Sequence, residues 1–371
     1  MIFTIIIFVA VLAILVLVHE IGHFITARKF GCAVEEFGIG FPPQAKKWKS
    51  KKTGINYSLN WIPLGGFVKI KGEDGENRQE NDSFGSKKVW QRAIILSSGV
   101  LMNIVLAIVL LSIGFGIGLP SALPDDLSDL GRAHVKDAKI QIYAISDGSP
   151  AATAGLQSGD ALVSIDGNSL NKLEDVQSYI AGKDGQEINL ALQRGQEDVN
   201  VKVVPVFREE IGKAGIGVAL ARTGIVSYPW YLAPIKGAEA TFSLFWAIVV
   251  AFYTLIKNLV TGIPVGADVA GPVGIAVMTG QVARMGFVYL LQFTALLSVN
   301  LAIINFLPLP ALDGGRILFL IVEKIRRRPI RQEVEAVVHN IGFMLLIGLM
   351  IFVTFRDVIK WGGGFFSKIF G

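Results

Sequence analysis

Cysteine, histidine and charge are all scarce in this chain. A single cysteine, Cys32, among 371 residues excludes an internal disulfide and a thiolate metal cluster, and reads as a small buried hydrophobe. Charged residues make up 18% of the chain and the formal net charge is only +5. The basic residues sit in loops beside apolar runs, a pattern that orients a membrane protein rather than one that builds a nucleic-acid surface. The apolar run that begins at Ile2 has no basic stretch before it and no clear small-residue cleavage site after it, so it is expected to be a retained first span, not a cleaved secretory signal. Four histidines leave few ways to build an imidazole metal site, which gives weight to the spacing of any two.

What the chain has in abundance is apolar sequence. It is 52% hydrophobic, and that content is concentrated in a few long uncharged stretches, the mark of an integral membrane protein with inserted soluble parts. The first stretch ends in Val18-His19-Glu20-Ile21-Gly22-His23-Phe24, an H-E-x-x-H pattern. On a helix, His19 and His23 stand one turn apart on the same face and can share one Zn²⁺, while Glu20 is placed to take a proton from the attacking water. Ionisable residues inside a span are costly and are functional by default. The uncharged part before His19 rises roughly 25 Å as a helix, which puts the histidines toward one membrane face.

In chain order, residues 1–27 form the first transmembrane helix. Residues 28–92 are basic and turn-rich, with Lys46, Lys47, Lys49, Lys51, Lys52, Lys87, Lys88 and Arg92 among their cations, so the positive-inside rule puts them in the cytoplasm. Within them, 38–43 and 55–67 mix strand-like alternation with glycine and proline and predict membrane-associated β-hairpins whose open edges can pair with an extended peptide. A second span covers 93–119 and holds Asn103, a residue that serves helix packing as readily as function. Residues 125–222 read as soluble and β-rich. Residues 228–284 hold an apolar segment, 239–261, bracketed by Lys236, Glu239 and Lys257. A third span and the turn that follows it occupy 285–315, a basic loop 316–335, a fourth span 336–356, and a short amphipathic or disordered tail 357–371.

Two histidines and a water leave tetrahedral zinc one protein ligand short. His134 lies at the leading edge of the soluble module and is a poor candidate; His339, at the start of the last span, is possible. Asp313 is better. It follows Pro308 and Pro310, which break the helix, and precedes Gly314 and Gly315, so its carboxylate is exposed on a turn.

Two resemblances become specific at this point. Residues 149–160, Ser-Pro-Ala-Ala-Thr-Ala-Gly-Leu-Gln-Ser-Gly-Asp, resemble the S-P-A-x-x-A-G-L-x-x-G-D core of bacterial PDZ domains, modules that bind peptides by strand addition. Gly215-Ile216-Gly217-Val218 is the candidate edge, and the module either binds a carboxyl-terminal peptide exposed by an earlier cut or excludes bulky, uncut substrates. The H-E-x-x-H in the first span, this module, Gly271-Pro272-Val273-Gly274, Ser298-Val299-Asn300-Leu301 and the run from Asn305 to Gly314 together resemble the site-2 protease family, in particular its bacterial branch that cleaves membrane-bound anti-sigma factors. The resemblance implies His19, His23 and Asp313 as zinc ligands, Glu20 as the base, and Asn300 and Asn305 as residues that hold the substrate strand. It also implies a single-span membrane protein as substrate, either anti-sigma-factor-like or a remnant signal peptide, cut after a prior extracytoplasmic cleavage. The best-known Gram-negative members carry two PDZ domains, whereas this chain has room for one.

The expected architecture is therefore a polytopic α-helical protein of the bacterial inner membrane, with four transmembrane helices, a β-hairpin region and one inserted PDZ domain. Four crossings keep 28–92 and 316–335 cytoplasmic and the PDZ domain outside, and they let His19 and His23 meet Asp313. A fifth crossing through 239–261 would put Asp313 outside, so that segment is expected along the outer membrane face. The rival readings are a catalytically silent PDZ-bearing scaffold and a transporter. The presence of all four chemical residues argues against the first, and the dissimilar halves of the chain argue against the second.

Overall fold

The computed structural model describes residues 2–73, 79–170, 172–195, 197–208, 212–262, 270–328 and 330–370. In chain order they form α1 (Ile2–Lys29), β1 (Val34–Lys49), β2 (Asn56–Ile70), α2 (Val89–Ile117), β3 (Leu119–Ala122), β4 (His134–Ile145), α3 (Pro150–Thr153), β5 (Ala161–Ile165), α4 (Leu173–Ala181), β6 (Ile188–Arg194), β7 (Glu197–Val203), β8 (Val206–Arg208), β9 (Lys213–Gly215), β10 (Val218–Ser227), α5 (Ala233–Thr261), α6 (Pro272–Met285), α7 (Phe287–Phe306), α8 (Asp313–Arg326) and α9 (Gln332–Phe370). The chain divides into a helical unit, residues 1–113 and 234–371, and a β-rich unit, residues 114–233.

Among the described residues, five helices are long and apolar enough to cross a bilayer: Ile2–Lys29, Val89–Ile117, Ala233–Thr261, Phe287–Phe306 and Glu333–Lys360. That is one more than the four crossings expected. The addition is α5, the helix that sequence places along the membrane face; its bracketing Lys236 and Glu239 neutralise one another as an i,i+3 pair at 2.7 Å. The last helix also exceeds expectation. It runs on through the expected tail to Phe370, because no proline ends it after Phe355.

Small residues set the helix approaches in this unit, as they do between membrane helices generally. A Cβ on Gly22 would fall 2.4 Å from the Ser98 carbonyl oxygen, one on Gly280 would strike Thr4, and one on Gly237 would strike Ser112. The buried Asp357 on α9 accepts from the Gly274 N–H at 2.7 Å, satisfying a donor in the first turn of α6.

The β1–β2 pair is more than a simple hairpin. Gly38 is partnered with both Phe67 and Ser58, and Phe37 with both Val68 and Tyr57. The 34–39 half of β1 therefore lies between the 66–70 and 56–59 halves of β2, while 44–49 pairs with the far side of 56–60. Among the described residues no strand pairs with the outer side of 66–70, so that segment is an open edge. Cys32, 5% exposed, packs among Ala27, Val34, Ile55 and Ile95 beneath this sheet, a small hydrophobe as its scarcity suggested.

In the β-rich unit, one six-stranded sheet runs β3-β10-β4-β5-β6-β7. Its core joins Ile142, Ile165, Leu190 and Leu192 from the strands to Val176 and Ile180 of α4. β10 pairs with β4 from Val218 to Ser227, but β3 covers its other side only from Thr223 to Val226. The start of β10 is therefore a second open edge, with α4 beside it.

Candidate metal centre

α1 carries His19 and His23 on one face because four residues make just over one turn, and both are buried at 6% and 8% exposure. Asp313 arrives from the other end of the chain as the first residue of α8. The α7–α8 turn folds tightly enough that a Cβ on Gly314 would lie 2.3 Å from the carbonyl oxygens of Phe306 and Leu307, and one on Gly315 would lie 2.1 Å from that of Leu309. The double glycine is thus what lets α8 begin directly against the turn. Its carboxylate in the first turn also suits the helix dipole.

The three groups converge. His19 Nε2 lies 3.1 Å from Asp313 Oδ2, His23 Nε2 3.4 Å from the same oxygen, and the two Nε2 atoms 3.1 Å from each other. Asp313 Oδ2 is buried and has no hydrogen-bond partner of its own. Three lone-pair atoms facing one point repel unless a cation stands between them. Nitrogen and oxygen ligands about 2.0–2.1 Å from a tetrahedral zinc stand about 3.3 Å apart, so the observed triangle has the edge lengths that zinc requires. The residues fit the ion.

A cleft opens beside this triangle, lined by Glu20, Phe67, Val68, Ile70, Glu73 and Arg316 together with the three ligand-type residues. The Cβ position of Gly66 looks onto Glu20 Cγ at 3.6 Å, so the open strand edge runs past the carboxylate of the H-E-x-x-H. Glu73 and Arg316 form an ion pair across the cleft wall. His339, the alternative third ligand, also lines this cleft but is not one of the three converging groups: its Nδ1 accepts the Ala311 N–H at 2.8 Å and so steadies the turn that leads to Asp313. His134 begins β4 in the β-rich unit and is exposed.

Of the six residues singled out in sequence, four come together. Asn300 and Asn305 do not line the cleft; Asn300 Nδ2 donates instead to Leu296 O of its own helix at 3.1 Å. Sequence reasoning missed Gly99, whose Cβ would lie 2.4 Å from His23 Nε2 and 2.6 Å from His19 Cε1. It also missed the Ile95 carbonyl, 2.8 Å from His23 Nδ1. A glycine one turn before Asn103 on α2 was the available signal for the first; a backbone carbonyl leaves none.

A metal-type triad carried on membrane-apolar helices, with a carboxylate and a free strand edge beside it, defines a membrane metalloprotease. The comparisons with known proteins agree. The model of Peptidase family M50 matches residues 7–349, and the chain belongs to that family. A Clostridium perfringens protein named as a zinc metalloprotease is 37% identical over 347 residues, covering 93% of this chain and 95% of its own length. The regulator of sigma-W protease RasP of Bacillus subtilis is 31% identical over 439 residues, covering 96% of this chain and 98% of its own. Among solved structures, the PDZ domain of an SdrC-like protein from Listeria monocytogenes is 25% identical, covers 24% of this chain and 92% of its own, and has a TM-score of 0.22.

Proposed function

We propose that the protein hydrolyses a peptide bond within the transmembrane segment of a single-pass membrane protein, with His19, His23 and Asp313 holding Zn²⁺ and Glu20 acting as general base. The observation that carries this reading is the placement of the 66–70 strand, paired with 34–39 on one side and with no described strand on the other, beside a triad of zinc-like dimensions. When bound, zinc supplies Lewis-acid polarisation of the scissile carbonyl and makes water a competent nucleophile near neutral pH. The chain's own groups do the rest. Glu20 takes the proton from water and delivers it to the leaving amine. A transmembrane helix keeps its backbone groups paired internally, so the substrate must unwind before it can be cut. The 66–70 edge offers replacement hydrogen bonds and holds the unwound segment extended past Glu20. In this reading Asn300 and Asn305 hold the substrate strand, Asn300 after its amide turns from Leu296 O.

The substrate class follows the relatives. An anti-sigma-factor-like protein fits the printed name of the Bacillus relative, and a remnant signal peptide offers the same single-span chemistry. The β-rich unit acts as a PDZ module that takes a carboxyl-terminal peptide along the free start of β10, between that strand and α4.

The bacterial cytoplasmic membrane, with the module outside and 28–92 and 316–335 inside, is the setting that puts the basic loops on the cytoplasmic face. Four crossings remain the better topology. α5 starts beside Ser112, 13 residues along α2 from Gly99, or about 20 Å from the triad's depth. α6 starts beside Asp357, 18 residues along α9 from His339, or about 27 Å. Both helices begin at the far side, and with α5 along the outer face the chain reaches α6 without a return through the hydrocarbon core, so this reading keeps α5 on that face.

The test is cleavage of a model single-span substrate by purified protein in detergent, with zinc measured in parallel for wild type and Glu20→Gln. Loss of cleavage with zinc retained is expected. Cleavage by Glu20→Gln at the wild-type rate would remove Glu20 from the chemistry.

A further inference from the structure

The two histidines are backed in different ways. His23 Nδ1 faces the Ile95 carbonyl at 2.8 Å, and a carbonyl only accepts. His23 therefore carries its proton on Nδ1 and turns a bare Nε2 toward the triad. For His19 the corresponding partner is the side-chain amide of Asn103, with Nδ2 3.4 Å from His19 Nδ1. Asn103 is 0% exposed, and its Oδ1 is buried without a partner.

A His19 that presents a lone pair at Nε2 must carry hydrogen on Nδ1, and that hydrogen needs an acceptor. The amide nitrogen and oxygen have the same shape, and their assignment rests on the hydrogen-bond network. Turned by 180° about its last bond, Asn103 places Oδ1 toward His19 Nδ1. A helix-packing asparagine would instead bond the backbone of a neighbouring helix; here the side chain's hydrogen-bond contact is with the imidazole. The backbone beneath it is pinned, because Ser298 Oγ donates to Asn103 O at 2.8 Å from α7. One turn earlier, Gly99 lets the α2 backbone lie flat against both rings.

We infer that Asn103 is a positioning residue of the metal centre: its Oδ1 accepts the His19 Nδ1–H and so fixes the tautomer and ring plane with which His19 holds Zn²⁺. The inference rests on the reading of His19 as a ligand. Outer-sphere partners of this kind are worth about 10–100-fold in metal affinity.

The experiment is zinc affinity by chelator competition, together with the ligand-field spectrum of the cobalt-substituted full-length protein. The variants are Asn103→Asp, which keeps an acceptor, Asn103→Leu, which removes it, and Asp313→Asn as the ligand control. Asn103→Leu should bind zinc about 10–100-fold more weakly with an altered cobalt spectrum, while Asn103→Asp stays near wild type. Wild-type affinity and spectrum in Asn103→Leu would overturn the proposal. So would equal losses in Asn103→Asp and Asn103→Leu, since packing rather than the acceptor would then be at issue. Undiminished zinc in Asp313→Asn would instead count against the ligand set itself.

Discussion

Asp160 of the β-rich unit and Asp313 of the helical unit are treated in opposite ways. In the β-rich unit, Asp160 is 1% exposed and fully satisfied: Arg194 donates to both its oxygens at 2.8 Å, and the Gln157 N–H donates at 2.9 Å. In the helical unit, Asp313 has an oxygen buried against two imidazole nitrogens with no hydrogen-bond partner. Burying a carboxylate is tolerated when the protein itself completes its bonding. One carboxylate is therefore a structural tie, complete within the chain. The other turns an oxygen to a point that two imidazole nitrogens also face, an arrangement that suits a cation.

The largest expected effect comes from removing the second. Asp313→Asn keeps the volume of the side chain but removes the charge that balances a divalent cation, leaving two imidazoles. Zinc content of the purified protein should fall from about one per chain to a small residue, with cleavage of a single-span substrate lost alongside it. Far-ultraviolet circular dichroism should stay at wild type, because the helices are held by apolar packing rather than by the triad. Full zinc in this variant would mean the triangle is not a metal site.

The same contrast governs what could be read in the sequence. His19 and His23 lie four residues apart on one predicted helix, so their convergence was a local fact. Asp313 is nearly three hundred residues away, and only proline and double glycine marked it as an exposed turn. Its approach depends on contacts that no local pattern records, such as the carbonyls of Phe306 and Leu309 pressed against Gly314 and Gly315. The apolar runs gave the spans, but α5 shows the limit of composition: length and hydropathy permit a crossing without requiring one. Residues 38–67 announced strands, yet not that 34–39 would lie between two parts of β2. Register over a glycine-rich stretch is weakly specified locally. Asn103 was visible as a polar residue in a span; that it faces His19 was not.

A third carboxylate lies between the two extremes and sharpens the comparison. Glu323 on α8 is 8% exposed, pairs with Arg92 of α2 at 2.6 Å, and also accepts the Ile330 N–H at 3.2 Å. The pair ties α8, and with it Asp313, to the helix behind the histidines. Breaking a buried pair from one side costs about 3–5 kcal/mol because it strands the other charge. Glu323→Gln should therefore lower the thermal midpoint of the helical unit and weaken zinc binding through a misplaced Asp313. Replacing both partners, as Arg92→Met with Glu323→Met, should recover most of that stability. If the single variant leaves the midpoint unchanged, the pair is not holding α8.

The smallest effect belongs to the satisfied aspartate. The Arg194 guanidinium holds the Asp160 carboxyl below the usual carboxylate range, against the opposing effect of burial. A carboxyl whose folded pKa is depressed contributes stability above its unfolded value, about 4, and loses it as pH falls through the lower folded value. The β-rich unit should therefore keep this contribution from neutral pH down to about 4 and shed it below. Asp160→Asn should remove it at all pH values, by about 2 kcal/mol near neutrality, since hydrogen bonds to a charged group are lost. Amide exchange of β5 and β6 in the full-length protein reads this directly. Faster exchange confined to those strands is expected, with zinc content at wild type, because Asp160 has no part in holding the metal. Exchange that stays at wild type, or a loss of zinc, would break the distinction between the two aspartates.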